Sequence, residues 1–204
     1  DKNCTAKTAI LETLDTLGAR DEAPFLRGAR HIQMEPAFGR AVDTAYNLRA
    51  RAVCGLARLG SFDAPLIFGE LLADPETPVR LATVAAIRHR EQRSLARMLL
   101  LRLNVGYEDP LVIFECMSAI LALAPEYGLE VLSRILDGND FELKEMAGIA
   151  LGESNLDNAL EVLLEWNRRS FSRDERDISL KAIGIHRGRL ARRFLLEIIA
   201  RGAL

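Results

Sequence analysis

The sequence predicts an all-α, right-handed solenoid of about six stacked helix pairs. Two observations carry that prediction. A short pattern, in which a small residue precedes Leu or Ile late in an Ala-rich stretch, recurs at nearly constant spacing. Each copy is followed by a turn and a second amphipathic stretch. No segment shows period-two alternation, so no sheet is expected.

The pattern appears as "GLARLG" (55–60), "AAIRHR" (85–90), "SAILALA" (118–124), "IALGES" (149–154) and "KAIGIHR" (181–187). Its aliphatic residues are Leu56, Ile87, Ile120, Leu151 and Ile183, in steps of 31, 33, 31 and 32. An earlier copy, "TLDTLG" (13–18), puts Leu14 in the same role, 42 residues before Leu56. The small residues (Gly55, Ala86, Ala119, Ala150, Ala182) let helices approach, and the aliphatic after each fills the space between layers. The second stretches lie at 64–74, 94–103, 128–137, 158–166 and 190–199. Leu129, Leu132, Ile135 and Leu136 show their three- and four-residue apolar spacing. Gly60, Gly106 and Gly138 fall near helix ends, where a left-handed residue is cheapest on Gly. Asp74-Pro75, Thr77-Pro78 and Asp109-Pro110 mark breaks between pairs. A lone helix pair cannot bury its apolar face, whereas stacked pairs share one core. The expectation is a single repeat domain over 1–204.

The 42-residue step betrays an insertion. Asp43–Arg49 copies Asp74–Arg80 at an offset of 31, so the surplus is about ten residues, Met34 to Asp43, "MEPAFGRAVD". It falls between the first and second helix pairs. Pro36 and Gly39 predict a loop or a short broken helix. Two readings stand. Insertions in repeat arrays tend to map to one binding face, and His31, Gln33, Glu35, Phe38, Arg40 and Asp43 gather unlike groups there. Alternatively, the segment caps a divergent first repeat, with Phe38 and Val42 covering apolar surface.

Composition excludes several function classes. Lys+Arg 27 against Asp+Glu 29 leaves a net charge of −2, so no global attraction to nucleic acid exists. No apolar run approaches the roughly 20 residues of a membrane span; the stretch from Pro110 to Pro125 is too short and contains Glu115, expected to be exposed on one edge. Cys4, Cys54 and Cys116 are odd in number and widely spaced, which points to a reduced, cytoplasmic compartment. Cys54 and Cys116 read as small core residues. His31, His89 and His186 are too scattered for a metal site, and no catalytic or cofactor-binding motif is present, so no metal, cofactor or catalytic residue is expected.

Two basic clusters occupy equivalent turns. The first holds Arg88, His89, Arg90, Arg93 and Arg97; the second, "HRGRLARR", spans 186–193. They read as solvated faces, paired internally with Glu153, Asp157, Glu161 and Glu165. In the functional alternative Arg88, Arg90 and Arg93 contact a partner. Asp43, Arg49, Asp74 and Arg80 read as a structural ladder: each Asp accepts from a helix start, and each Arg bridges to a neighbouring layer. The final segment, "LARRFLLEIIARGAL", is apolar on more than one face, which a terminal cap should not be. That end is expected to associate with another domain, further chain or a second copy.

The stretch "DPETPVRLATVAAI" (74–87) resembles the HEAT-like repeat, in the short bacterial variety of phycobilisome lyase subunits, through Asp74, Val79, Arg80, Ala86 and Ile87. The preceding copy matches at Asp43, Leu48, Arg49, Ala52, Gly55 and Leu56. Later copies are degenerate: Val112 and Leu143 keep the aliphatic, Lys144 keeps the charge, and Glu175 replaces the Val. The resemblance implies a HEAT-like α-solenoid and leaves function open, because such repeats host scaffolds, lyases and DNA-repair enzymes. The expectation is a non-catalytic scaffold that presents a concave surface and the inserted loop to an unknown protein partner. The alternatives are a tetrapyrrole lyase-like enzyme subunit and, lowest, a nucleic-acid-binding or DNA-repair module. The last would require Trp or Tyr near a carboxylate, and Trp166 is the sole Trp.

Overall fold

The computed structural model describes residues 2–106 and 109–201. The fold is an all-α solenoid. Twelve α-helices among the described residues form six pairs: α1 (Thr5–Thr16) with α2 (Ala23–Ala29), α3 (Tyr46–Leu59) with α4 (Ala64–Leu72), α5 (Thr77–His89) with α6 (Ala96–Asn104), α7 (Pro110–Leu123) with α8 (Pro125–Leu136), α9 (Phe141–Ser154) with α10 (Asp157–Arg169), and α11 (Arg173–Ile185) with α12 (Arg189–Ala200). The chain divides into two compact units, with the boundary inside α7 between Glu115 and Cys116.

Local chemistry sets where the helices start. Pro lies in the first turn of α2, α4, α5 and α8, where its missing N–H costs nothing. Ahead of five first helices a side-chain oxygen accepts a backbone N–H. Asp43 accepts from Ala45, Asp74 from Glu76, Asp109 from Leu111, Asp140 from Leu143 and Ser172 from Glu175, all at 2.9–3.1 Å. The repeat is therefore written in its caps as well as in its core.

Leu56, Ile87, Ile120, Leu151 and Ile183 are all fully buried. The first copy departs from the pattern. Leu14 is half-buried, and Leu11, one turn earlier, is the buried residue of α1. Gly28 of α2 explains the shift: a Cβ there would lie 2.8 Å from Leu11 Cδ1, so α2 closes directly on Leu11.

In the first unit α3 packs against α1, α2 and α5. Gly55 accepts the ring of Phe25, whose Cδ1 would stand 2.2 Å from an added Cβ. In the second unit α9 packs against α8, α10 and α11. There Gly148 receives Trp166, and Gly152 lets the Ala182 carbonyl oxygen approach to 2.4 Å of where a Cβ would stand. Gly60 and Gly106 adopt the left-handed conformation, both at φ +71°. Gly138 does not have a positive φ, contrary to expectation, because α8 ends on Asp137 in ordinary helical geometry.

The insertion is neither a plain loop nor a broken helix. It forms an antiparallel hairpin, β1 (Met34–Glu35) with β2 (Val42–Asp43), in the register Met34↔Asp43 and Glu35↔Val42. This small sheet corrects the expectation of none. With two residues per strand, the ladder is too short to produce a detectable alternation. Gly39, at φ +106°, supplies a turn conformation that L side chains rarely adopt.

Candidate interaction surface

The hairpin is anchored at its base by buried charge. Arg49, 3% exposed, donates from Nε and Nη2 to the two Asp74 oxygens (2.7 and 3.1 Å) and from Nη1 to Asp43 Oδ2 (2.5 Å) and the His31 carbonyl (3.0 Å). One guanidinium thus joins the start of the insertion, its end and the loop before α5. Arg80 reaches back to the Asp74 and Pro75 carbonyls, at 2.7 and 2.9 Å, and to Thr77 Oγ1. Burial alone would raise the Asp43 pKa. The N–H groups of Ala45 and Gln33 and the Arg49 guanidinium outweigh it and hold the carboxyl below its usual range.

A second set of bonds braces the hairpin from the other side. Glu35 Oε1 accepts from Gln33 Nε2 (2.5 Å), Asn3 N (2.7 Å) and Thr44 Oγ1 (3.0 Å). Those donors, Gln33 foremost, lower the Glu35 pKa. Lys7 of α1 donates to His31 Nε2 (2.9 Å) and Gln33 Oε1 (2.8 Å). A lysine ammonium has no acceptor, so His31 offers a lone pair there.

Four of the six residues singled out from sequence at the insertion, His31, Gln33, Glu35 and Asp43, are therefore half-buried bracing groups. The other two, Phe38 and Arg40, are exposed in the loop between the strands, Phe38 fully so. Ile32, Met34 and Val42 are exposed as well. The hairpin covers little apolar surface with these side chains; it displays them. Sequence reasoning missed Lys7, Asn3 and Thr44, which carry no local signal of a role.

The basic clusters differ from a uniform solvated face. Arg88 and Arg93 are exposed, and Arg90 is half-buried, with its Nε unpaired among the described residues and its Nη1 against the Ala57 carbonyl at 3.5 Å. His186 is buried: Nε2–H donates to the Leu156 carbonyl (3.2 Å), and Nδ1 accepts from Gly188 N (3.0 Å). Glu165 pairs with Arg168 and Arg169 of its own helix, and Arg193 pairs with Glu197. Trp166 is buried against Gly148 and presents no stacking face. Glu115 is half-buried rather than exposed.

A groove of about 540 Å³ runs between α1 and α3, lined by Thr8, Glu12, Asn47, Arg51 and Cys54 among others. Burial pushes the Cys54 thiol up, away from a reactive thiolate. Cys4 and Cys116 are fully buried, and all three cysteines are free. No helix of the described residues is long and apolar enough to cross a membrane. Among those residues no group of three or more His, Cys, Asp or Glu is arranged to hold a metal ion. On α12, Leu190, Leu196 and Ile199 are exposed; the last three residues of that terminal segment lie outside the described residues.

No family model and no curated protein matches the chain. Among solved structures, the complex of CpcE and CpcF of phycocyanin lyase from Nostoc sp. PCC7120 is similar at 16% identity and a TM-score of 0.47, over 98% of this chain and 90% of that chain. A likeness of that extent says nothing of activity.

Proposed function

We propose that the chain is a non-catalytic interaction module whose hairpin contacts a protein partner. One observation carries this reading: Phe38 is fully exposed in a loop whose base is cross-braced by Arg49 and Glu35. An exposed aromatic on a pre-ordered support loses little conformational freedom on binding, which favours an anchor role. Replacing the whole insertion is a poor test, because it removes Asp43 from Arg49. Phe38→Glu is cleaner. It should leave the melting temperature unchanged and abolish retention of the partner captured by the unaltered chain. An unchanged set of retained proteins would overturn the reading and leave the hairpin as a cap.

A tetrapyrrole lyase-like role is the second reading. The 540 Å³ groove beside Cys54 favours it, and the raised thiol pKa counts against covalent work there. Addition of a linear tetrapyrrole without any absorbance change would remove it. The exposed apolar face of α12 supports a further contact with another chain or a second copy. Sedimentation of the unaltered chain and of Leu196→Glu would separate these: a monomer in both cases excludes the second copy.

A further inference from the structure

Beside the hairpin, α1, α2 and α3 line an open groove of about 240 Å³. Its floor is apolar, from Ile10, Leu11, Pro24 and Leu48, and its rim carries Lys7, Arg27 and His31. A second, open depression shares Arg27 and His31 and continues to Arg30 and the exposed Ile32. No carboxylate lines either cavity. Arg30 is neutralised by a bidentate pair with Glu70 (2.8 and 2.9 Å), and Lys7 is engaged with His31 and Gln33. The Arg27 guanidinium, at the junction of the two cavities, makes no ion pair or side-chain hydrogen bond among the described residues.

An apolar floor beneath an uncompensated cation selects a ligand that is apolar at one point and anionic beside it. We infer that this groove is the anchor site for an acidic amphipathic helix of the partner, with one large apolar side chain on Ile10 and Leu48 and a carboxylate on Arg27. The inference rests on the reading of the chain as a protein-interaction module and supplies the chemistry of what it binds. Helix-in-groove recognition uses such spaced apolar anchors, and the charged rim sets orientation and excludes basic competitors. A basic helix would place its charges against Lys7 and Arg27 and be repelled.

The test uses the whole chain, isotope-labelled, with two synthetic helical peptides of equal length built on Leu and Ala around one central Phe. One carries Glu at its polar positions and the other Lys. The Glu peptide should shift the Ile10 and Leu48 methyl resonances, and the Lys peptide should not. Arg27→Glu, an exposed position with no partner to lose, should keep its helical circular dichroism and weaken the Glu peptide by about tenfold or more. Ile10→Glu should weaken it similarly. Equal binding of both peptides, shifts confined to other surfaces, or unchanged affinity in Arg27→Glu would each overturn the inference. Phe38→Glu separates the two readings. If it abolishes partner capture while the unaltered chain ignores the Glu peptide, the hairpin reading stands and this one falls. If the Glu peptide binds at Arg27 and capture ignores Phe38, this one stands and the hairpin reading falls.

Discussion

Two junctions occupy the same place in the repeat: the stretch that leads from α2 to α3, and the three residues 170–172 that lead from α10 to α11. Both display a fully exposed phenylalanine, Phe38 and Phe171. Both precede a helix from which an arginine reaches back six residues, Arg49 to Asp43 and Arg176 to Ser170. They differ in how they are held. The short turn uses backbone and hydroxyl groups: Ser172 Oγ caps α11, and Ser170 Oγ–H donates to the Trp166 carbonyl. The long one uses buried ions, with Arg49 between Asp43 and Asp74. A three-residue turn has little freedom to lose. The inserted hairpin is held in one orientation only because strong, directional charge pairs offset the entropy of ordering it.

The largest expected difference between the junctions follows from removing each arginine. Arg49→Met strands two carboxylates in a buried site and should cost about 3–5 kcal/mol, read from urea unfolding at neutral pH. Arg176→Met loses one partly exposed hydrogen bond of 3.3 Å and should cost under about 1 kcal/mol. Equal losses would mean that buried charge is not what distinguishes them.

Acid should separate them next. Asp43 and Glu35 have folded pKa values below their ordinary 3.8 and 4.5. The unfolded chain therefore binds more protons as pH falls. The stability these groups contribute is present in full above the ordinary values and is lost as pH drops through the folded ones. Amide protection at Gln33 and Thr44, taken relative to the intrinsic exchange rate at each pH, should fall below about pH 4, before protection at Glu175, whose N–H is held by the non-titrating Ser172. Simultaneous loss of protection at both junctions would contradict this.

A smaller effect sharpens the cap comparison. Ser172→Ala should cost about 1 kcal/mol, measured by thermal unfolding, with the loss localised to the α11 start. Smallest of all, Phe38→Ala and Phe171→Ala should each change stability by less than about 0.5 kcal/mol. Partner binding should then distinguish them, with Phe38→Ala weakening capture and Phe171→Ala leaving it unchanged.

Much of the solenoid was legible in the sequence. The 31–33-residue steps located the aliphatic layer, and all five residues from Leu56 to Ile183 are buried as that spacing required. The surplus between Met34 and Asp43 was also countable. Its conformation was not, because a two-residue ladder leaves no periodicity to read. Nor was the roster of bracing groups. His31, Gln33 and Glu35 looked like a displayed polar set, whereas Lys7, Asn3 and Thr44 consume their hydrogen-bonding capacity. His186, placed by sequence in an exposed basic turn, is buried because Leu156 and Gly188 satisfy both ring nitrogens.

What the sequence by itself determined is what depends on near neighbours: helix starts set by Asp, Ser and Pro, helix faces set by three- and four-residue spacing, and a repeat visible because every copy solves the same local problem. The tertiary structure alone decided which polar groups outside the repeat positions meet. Lys7 finds Gln33 across 26 residues, Asn3 finds Glu35 across 32, and Arg27 finds no side-chain partner among the described residues. Those outcomes turn on distances between separate elements once they are packed, and a one-dimensional pattern does not carry such distances.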